Sequence, residues 1–244
     1  MLDRVTITGA DDSVTPSDIL ALSNKYPFVE WGILVSMSSV GTPRYPTNEW
    51  IRHLQAHSGY QTKLSLHLCG SFVRALLVGK VMFPFDLLNC FQRVQLNFHA
   101  ERVDCDVPKF VEALKTLGER QFIFQMDGER GNAIFERARG HEVDCAPLFD
   151  VSGGAGILPD HWPAAVYSKG GAMTYHGYAG GLGPENLVEQ LPKIAIAARS
   201  RHWVDMETRV RSHDDRLFNL ALVEQALRIC SGFVDRPDLQ EKRA

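Results

Sequence analysis

The 244-residue chain lacks several features that would settle its class at once. Its five cysteines, Cys69, Cys90, Cys105, Cys145 and Cys230, are odd in number and widely spaced, and no Cys-x-x-Cys occurs. That argues against a disulfide framework or a zinc ribbon and fits free thiols in a reducing cytoplasm. There is no excess of charge of either sign: the formal net charge is −3. A chain so balanced has no electrostatic footprint for nucleic acid or an anionic membrane. No apolar run approaches the roughly 18 residues a spanning helix needs. The opening residues, MLDRVTITG, enter a strand-like run directly, without the apolar core of a signal peptide. What the chain has is 45% hydrophobic residues, enough for one sizeable core.

Short apolar runs alternate with longer amphipathic segments. The runs at 5–8, 31–36, 63–68, 93–98, 121–126, 147–151, 173–177 and 203–206 read as strands. The stretches 17–25, 47–57, 72–78, 107–117, 131–139, 186–198 and 216–230 read as helices, and 160–169 is short and less clearly helical. Such alternation implies parallel strands joined by right-handed crossovers. Eight units at this length predict a (β/α)8 TIM barrel, with 1–234 as a single domain and 235–244 as a frayed tail.

The third and fourth strands alternate in an informative way. In LSLHLCG the leucines Leu64, Leu66 and Leu68 oppose Ser65, His67 and Cys69. In RVQLNFH, Val94, Leu96 and Phe98 oppose Gln95, Asn97 and His99. Helices cover the outside of a barrel, so the apolar sets face outward and the polar sets point into the lumen. A purely structural lumen would be filled with Val, Ile and Leu. The polar set is read either as a buried hydrogen-bonded network or as part of a ligand site, and the ligand site is favoured.

Two glycine-rich loops follow late strands: SGGAG at 152–156 and AGGLG at 179–183, the latter running into Pro184-Glu185-Asn186 and a helix. Consecutive glycine N–H groups make a concave nest of donors, and a helix start adds its positive end. Neighbouring loops of this kind at the C-terminal ends of late barrel strands predict a phosphate site that includes Gly180 and Gly181.

With these residues in view, the sequence resembles the phosphoribosylanthranilate isomerase family of tryptophan biosynthesis. AGGLGPENL is similar to the family's AGGLNPENV, and PLFDVSGGAG to its strand-six segment, an acidic Asp followed by Gly-Gly-Thr-Gly. GILVSMSSVGTPRYP resembles the strand-two segment that ends in Ser-x-Arg, and HWVDMETRV stands where the family has Val-Asp-Val-Ser-Ser-Gly-Val. The resemblance implies a (β/α)8 barrel that converts a phosphoribosyl amine to a deoxyribulose amine by Amadori rearrangement. It implies Asp150 as the acid, Gly153, Gly154 and Gly156 on phosphate, Arg44 on a substrate carboxylate, and Asp205 at the family's strand-eight aspartate. The sequence also departs from the family. Thr8 stands at the position of the family's basic cysteine, Thr6 replaces its lysine, and Glu207-Thr208-Arg209 replaces Ser-Ser-Gly. Arg209 could offset Glu207 beside a phosphate.

A threonine hydroxyl is a poor proton acceptor without help. The candidates for a base are then His67, Cys69 and Asp127, of which His67 has the best-placed intrinsic pKa. Asn97 and Asp127 are expected to bind polar parts of the substrate. The spacing of His67, Cys69, His99 and Cys105 fits no zinc pattern, so neither metal nor cofactor is expected. The function expected is that of an isomerase-like enzyme on a phosphorylated sugar or phosphoribosyl-amine-type molecule. The alternatives are a lyase or other transformation on the same scaffold, and a non-catalytic phosphate-ligand barrel. No nucleic-acid or membrane partner is expected, and a homodimer is left open.

Overall fold

The computed structural model describes residues 1–59, 62–98, 104–126, 128–150, 156–166, 171 and 173–234. Eight strands lie side by side in chain order and close into a barrel: β1 (Leu2–Thr8), β2 (Val29–Val35), β3 (Lys63–Leu68), β4 (Arg93–Leu96), β5 (Gln121–Gln125), β6 (Cys145–Asp150), β7 (His176–Ala179) and β8 (His202–Met206). Every neighbouring pair is parallel, and β8 closes onto β1 with Val5 opposite Val204 and Thr6 opposite Asp205. The helices are α1 (Pro16–Lys25), α2 (Asn48–His57), α3 (Ser71–Leu77), α4 (Val107–Thr116), α5 (Glu129–Gly140), α6 (Leu187–Ala198) and α7 (Leu220–Cys230). The chain is therefore a (β/α)8 barrel. Among the described residues no helix separates β6 from β7.

Local sequence starts the helices where they start. Thr15 and Asp18 form a reciprocal capping box ahead of Pro16, and the Thr47 hydroxyl accepts from the Trp50 N–H at 3.2 Å. Asn219 accepts from the N–H groups of Ala221 and Leu222 at 3.1 and 3.2 Å. That cap moves the start of α7 from the expected 216 to Leu220; before it, Phe218 bridges back to Arg211.

The outward faces of the strands behave as their alternation implies. Leu64, Leu66, Val94, Leu96 and Phe124 are buried against the helices, in one continuous core with Phe110 and Phe135. Strand seven is shifted from the expected 173–177 to His176–Ala179. Tyr175, read as mid-strand, lies just before it and donates to Asp3 at the start of β1, 3.0 Å away. Gly177 faces the Trp203 indole, which fills the space a side chain would need. The tail at 235–244 lies outside the described residues. Among the described residues no helix is long and apolar enough to cross a membrane. All five cysteines are free.

Candidate functional site

The inward polar residues of β3 and β4 lead up to a mostly polar cavity of about 280 Å³ at the C-terminal ends of the strands. His67, Cys69, Gln95 and Asn97 form one wall; Asp150 and Asp205 stand on the opposite strands; Gly180 and Gly181 close a third side. This is the face on which barrel enzymes place their chemistry, because eight independent loops converge there. His99 and Asp127, expected nearby, lie outside the described residues.

Two carboxyl groups dominate the far wall. Asp205 sits at mid-β8 and is almost fully buried. Its Oδ1 accepts from the Thr8 hydroxyl at 2.7 Å. Burial pushes its pKa well above the carboxylate range; the Thr8 bond pulls the other way, and the negative charges of Glu207, Glu30 and Asp150 add to the rise. Asp205 therefore holds its proton to higher pH than an exposed carboxyl would. Asp150 ends β6 and is also buried. Thr8, unsuited to be a base, thus acts as a hydrogen-bond donor to a buried acid whose pKa is raised. Sequence reading missed this pair. The available signal was parity: Thr6 and Asp205 are in register across the β1–β8 seam, and Thr8 lies one pleat further on the same face.

His67 is in the site but differs from the expected base. The residue is 1% exposed, and neither ring nitrogen has a hydrogen-bond partner among the described residues. Burial depresses its pKa to about 3, with the positive charge of Arg93 opposing the help from Glu30. The imidazole is therefore neutral and weakly basic at ordinary pH. It shares with Thr8 the space over Gly32, where an added Cβ would lie 2.8 Å from the His67 ring and collide with the Thr8 hydroxyl. Cys69 is no better as a base, since burial raises its thiol to about 11. It is instead the end of a short chain: Gln95 donates to Asn97 at 2.9 Å, and Asn97 donates to the Cys69 sulfur at 3.3 Å.

Arg44 reaches the cavity from the loop after β2, with φ at 77°. Its guanidinium is already engaged, bonded to Glu207 and to Asp215, the latter at 2.5 and 2.9 Å. Its backbone N–H donates to Asp11 at 2.7 Å, and Arg211 bonds the same Asp11 oxygen at 2.9 Å. The loops after β1, β2 and β8 are thus tied by one ionic network. Burial raises the pKa of Glu207, with Arg44 acting against it. Arg209, expected to offset Glu207, pairs instead with Glu185 of the Pro184-Glu185-Asn186 turn.

The two glycine loops meet where the structure describes them. Gly181 has φ at 62°, and a Cβ there would come within 2.6 Å of the Leu158 backbone nitrogen. Only glycine allows that approach. Gly180 has φ at 112° and Gly156 at 67°, and both line the cavity. Asn186 fastens the second loop: its side chain accepts from the Gly183 N–H at 3.1 Å and donates to the Gly181 carbonyl at 2.8 Å. Gly153 and Gly154 lie outside the described residues. So does the rest of the first loop before Gly156.

Among the described residues no group of three or more His, Cys, Asp or Glu side chains is disposed to hold a metal ion. No protein-family model matches the sequence, and no curated protein matches it. Solved structures do resemble the fold. TrpF from Jonesia denitrificans superposes with a TM-score of 0.58 at 13% identity, covering 94% of this chain and 97% of that one. Phosphoribosyl anthranilate isomerase from Thermus thermophilus gives 0.57 at 17% identity, covering 94% and 99%. The same enzyme from Thermotoga maritima gives 0.55 at 17%, covering 95% and 100%. At such identities the likeness is one of architecture: this chain has a phosphoribosylanthranilate-isomerase-like barrel.

Proposed function

We propose that the barrel is an enzyme that binds a phosphorylated sugar or phosphoribosyl-amine-type small molecule in its C-terminal mouth. The reaction proposed is an aldose–ketose isomerisation of Amadori type or a diverged proton-transfer reaction on the same scaffold. The observation that carries this reading is the placement of Asp150 and Asp205 on one cavity beside the joined glycine loops. Phosphate is assigned to those loops, at Gly153, Gly154, Gly156, Gly180 and Gly181, where backbone N–H groups can serve as donors.

Two carboxyl groups suffice for the chemistry. One protonates the ring oxygen as the C1–O bond breaks, leaving an iminium. The other takes the C2 proton, and the resulting enol amine tautomerises to the ketose. Asp205, whose pKa is raised by burial, is the donor in this scheme, oriented by Thr8. Asp150, expected from the resemblance to be the acid, becomes the acceptor. His67 and Asn97 position the substrate as neutral groups. An aryl carboxylate at Arg44 would have to displace Glu207 and Asp215, so substrates without that carboxylate are favoured within the class. The free thiols fit a reducing compartment such as the cytoplasm.

The test is proton exchange. The protein is incubated in D2O with phosphoribosylanthranilate and, separately, with a panel of aldose phosphates, and loss of the C2 proton with deuterium entry at C1 of the ketose is followed by NMR. Exchange on at least one substrate is expected, with a loss of about 10²-fold or more in Asp150→Asn and Asp205→Asn. Tight binding with no exchange on any member would instead make the barrel a non-catalytic phosphate-ligand binder.

A further inference from the structure

At the opposite, N-terminal end of the barrel the structure carries a second cavity, of about 660 Å³. It is formed where β1, β4, β5 and β8 begin, and it shares no lining residue with the mouth. Its lining is cationic. Arg4 and Arg93 both bond to Glu30, at 2.6 and 2.8 Å, so one buried carboxylate serves two guanidinium groups. Arg201, on the rim, pairs with Asp3 at 2.5 Å and is otherwise exposed. Three arginines thus share two carboxylates, which leaves this cluster with a net excess of one positive charge.

Other observations at this end agree with an unbalanced positive site. The Nε of Arg4 and the Nε and Nη2 of Arg93 are buried without a hydrogen-bond partner among the described residues. Arg93 is 3% exposed and lies 4.0 Å over the Trp203 ring, which fixes its plane against the cavity wall. Lys63, beside the cluster, has its pKa lowered by burial first and by Arg4 next. Asp3 and Glu30 act against that fall without cancelling it. Gln121, which lines the cavity, donates to Asp144 at 3.3 Å. Glu30 itself is held ionised: burial pushes its pKa up, but Arg93 and Arg4 bring it below the usual value.

We propose that this end of the barrel is a second ligand site, for a small oxyanion held by Arg4 and Arg201 over the Glu30–Arg93 pair. The ligand class is a phosphate or a carboxylate, since both match the planar fork of a guanidinium. Its placement away from the mouth makes it a site for an effector rather than for the reacting molecule.

The probes are inorganic phosphate and succinate, titrated separately into the intact protein. Binding is read by NMR at the Trp203 indole N–H and the Arg4 Nε–H, with Gly180 and Gly181 amides reporting on the mouth. Saturable shifts at Trp203 and Arg4 are expected. A response to phosphate alone assigns a phosphate ligand, and a response to both assigns the wider class. Arg201→Met, on an exposed side chain, keeps the fold and should weaken binding at this end by about tenfold while leaving the mouth amides unchanged. Arg4→Met leaves Glu30 paired to Arg93 and should remove it. Shifts confined to Gly180 and Gly181 would overturn the proposal while supporting phosphate in the mouth. Shifts at Trp203 with none at the glycines would do the reverse. Equal affinity in wild type and both arginine variants would also overturn it.

Discussion

The lumen of this barrel has two unlike sides. On β1 to β4 it is filled by Thr6, Glu30, Ser65, His67, Arg93 and Gln95, all buried. Across from them, Ile123, Ala146, Leu148 and Trp203 make a compact apolar cluster. The polar side holds most of the buried polar atoms without partners among the described residues: the Ser65 hydroxyl, both nitrogens of His67, the Nε and Nη2 of Arg93 and the Oε1 of Gln95. Buried polar atoms without partners cost stability. The apolar side alone is how a structural lumen would be built. One wall therefore supports the fold, and the other gives up stability to present polar groups to the two ends of the barrel.

The contrast can be broken first with acid. The His67 ring titrates near 3 in the folded protein and near 6.5 when unfolded, so the unfolded chain binds the extra proton between those values. This linkage leaves stability unaffected above about pH 6.5 and lowers it as pH falls toward 3, by up to about 5 kcal/mol. His67→Leu should remove one proton from the pH dependence of unfolding in that window, as read by urea midpoints. An unchanged slope would show that the ring is not held neutral.

Next in size is the charge at the base of the polar wall. Glu30→Gln leaves Arg4 and Arg93 without their shared carboxylate and should destabilise the protein by about 3–5 kcal/mol in denaturant unfolding. A matched change on the apolar wall, Ile123→Val, should cost only about 1 kcal/mol. Comparable costs for the two would erase the distinction between the walls. Smallest is Thr8→Val, nearly isosteric, which removes the 2.7 Å bond to Asp205. It should cost about 1 kcal/mol. Because that bond opposes the rise in the Asp205 pKa, its loss should move the pKa further up, as seen by carboxyl 13C NMR.

Much of the architecture was legible in the sequence because it depends on local pattern. The alternation in LSLHLCG and RVQLNFH placed Ser65, His67, Cys69, Gln95 and Asn97 inward, and the structure lines the cavity with four of them. The approach of Gly181 to the Gly156–Leu158 backbone was legible for the same reason: both segments follow neighbouring strands. What escaped was pairing across the chain. The Thr8–Asp205 bond spans 197 residues, and the Arg44–Asp215 pair spans 171. No periodicity reports which opposite charge a loop arginine will meet. Glu30 escaped too, as a single acid within the otherwise apolar VEWGILV, because the partners that make its burial tolerable come from β1 and β4.

Gly32 has a consequence for how this protein can change. The hydroxyl of Thr8 and the ring of His67 occupy the volume that any side chain at position 32 would enter. A methyl there pushes Thr8 off Asp205 or the imidazole out of its slot. A bulkier group at position 8 presses on the same space from the other side. Substitutions at 8, 32 and 67 are therefore epistatic: the effect of each depends on what stands at the other two. A library that varies position 8 alone will test a new side chain in a slot shaped for threonine. One that varies the three together asks the proper question, and the double-mutant coupling energies among them would measure how tightly the barrel's history has constrained its next step.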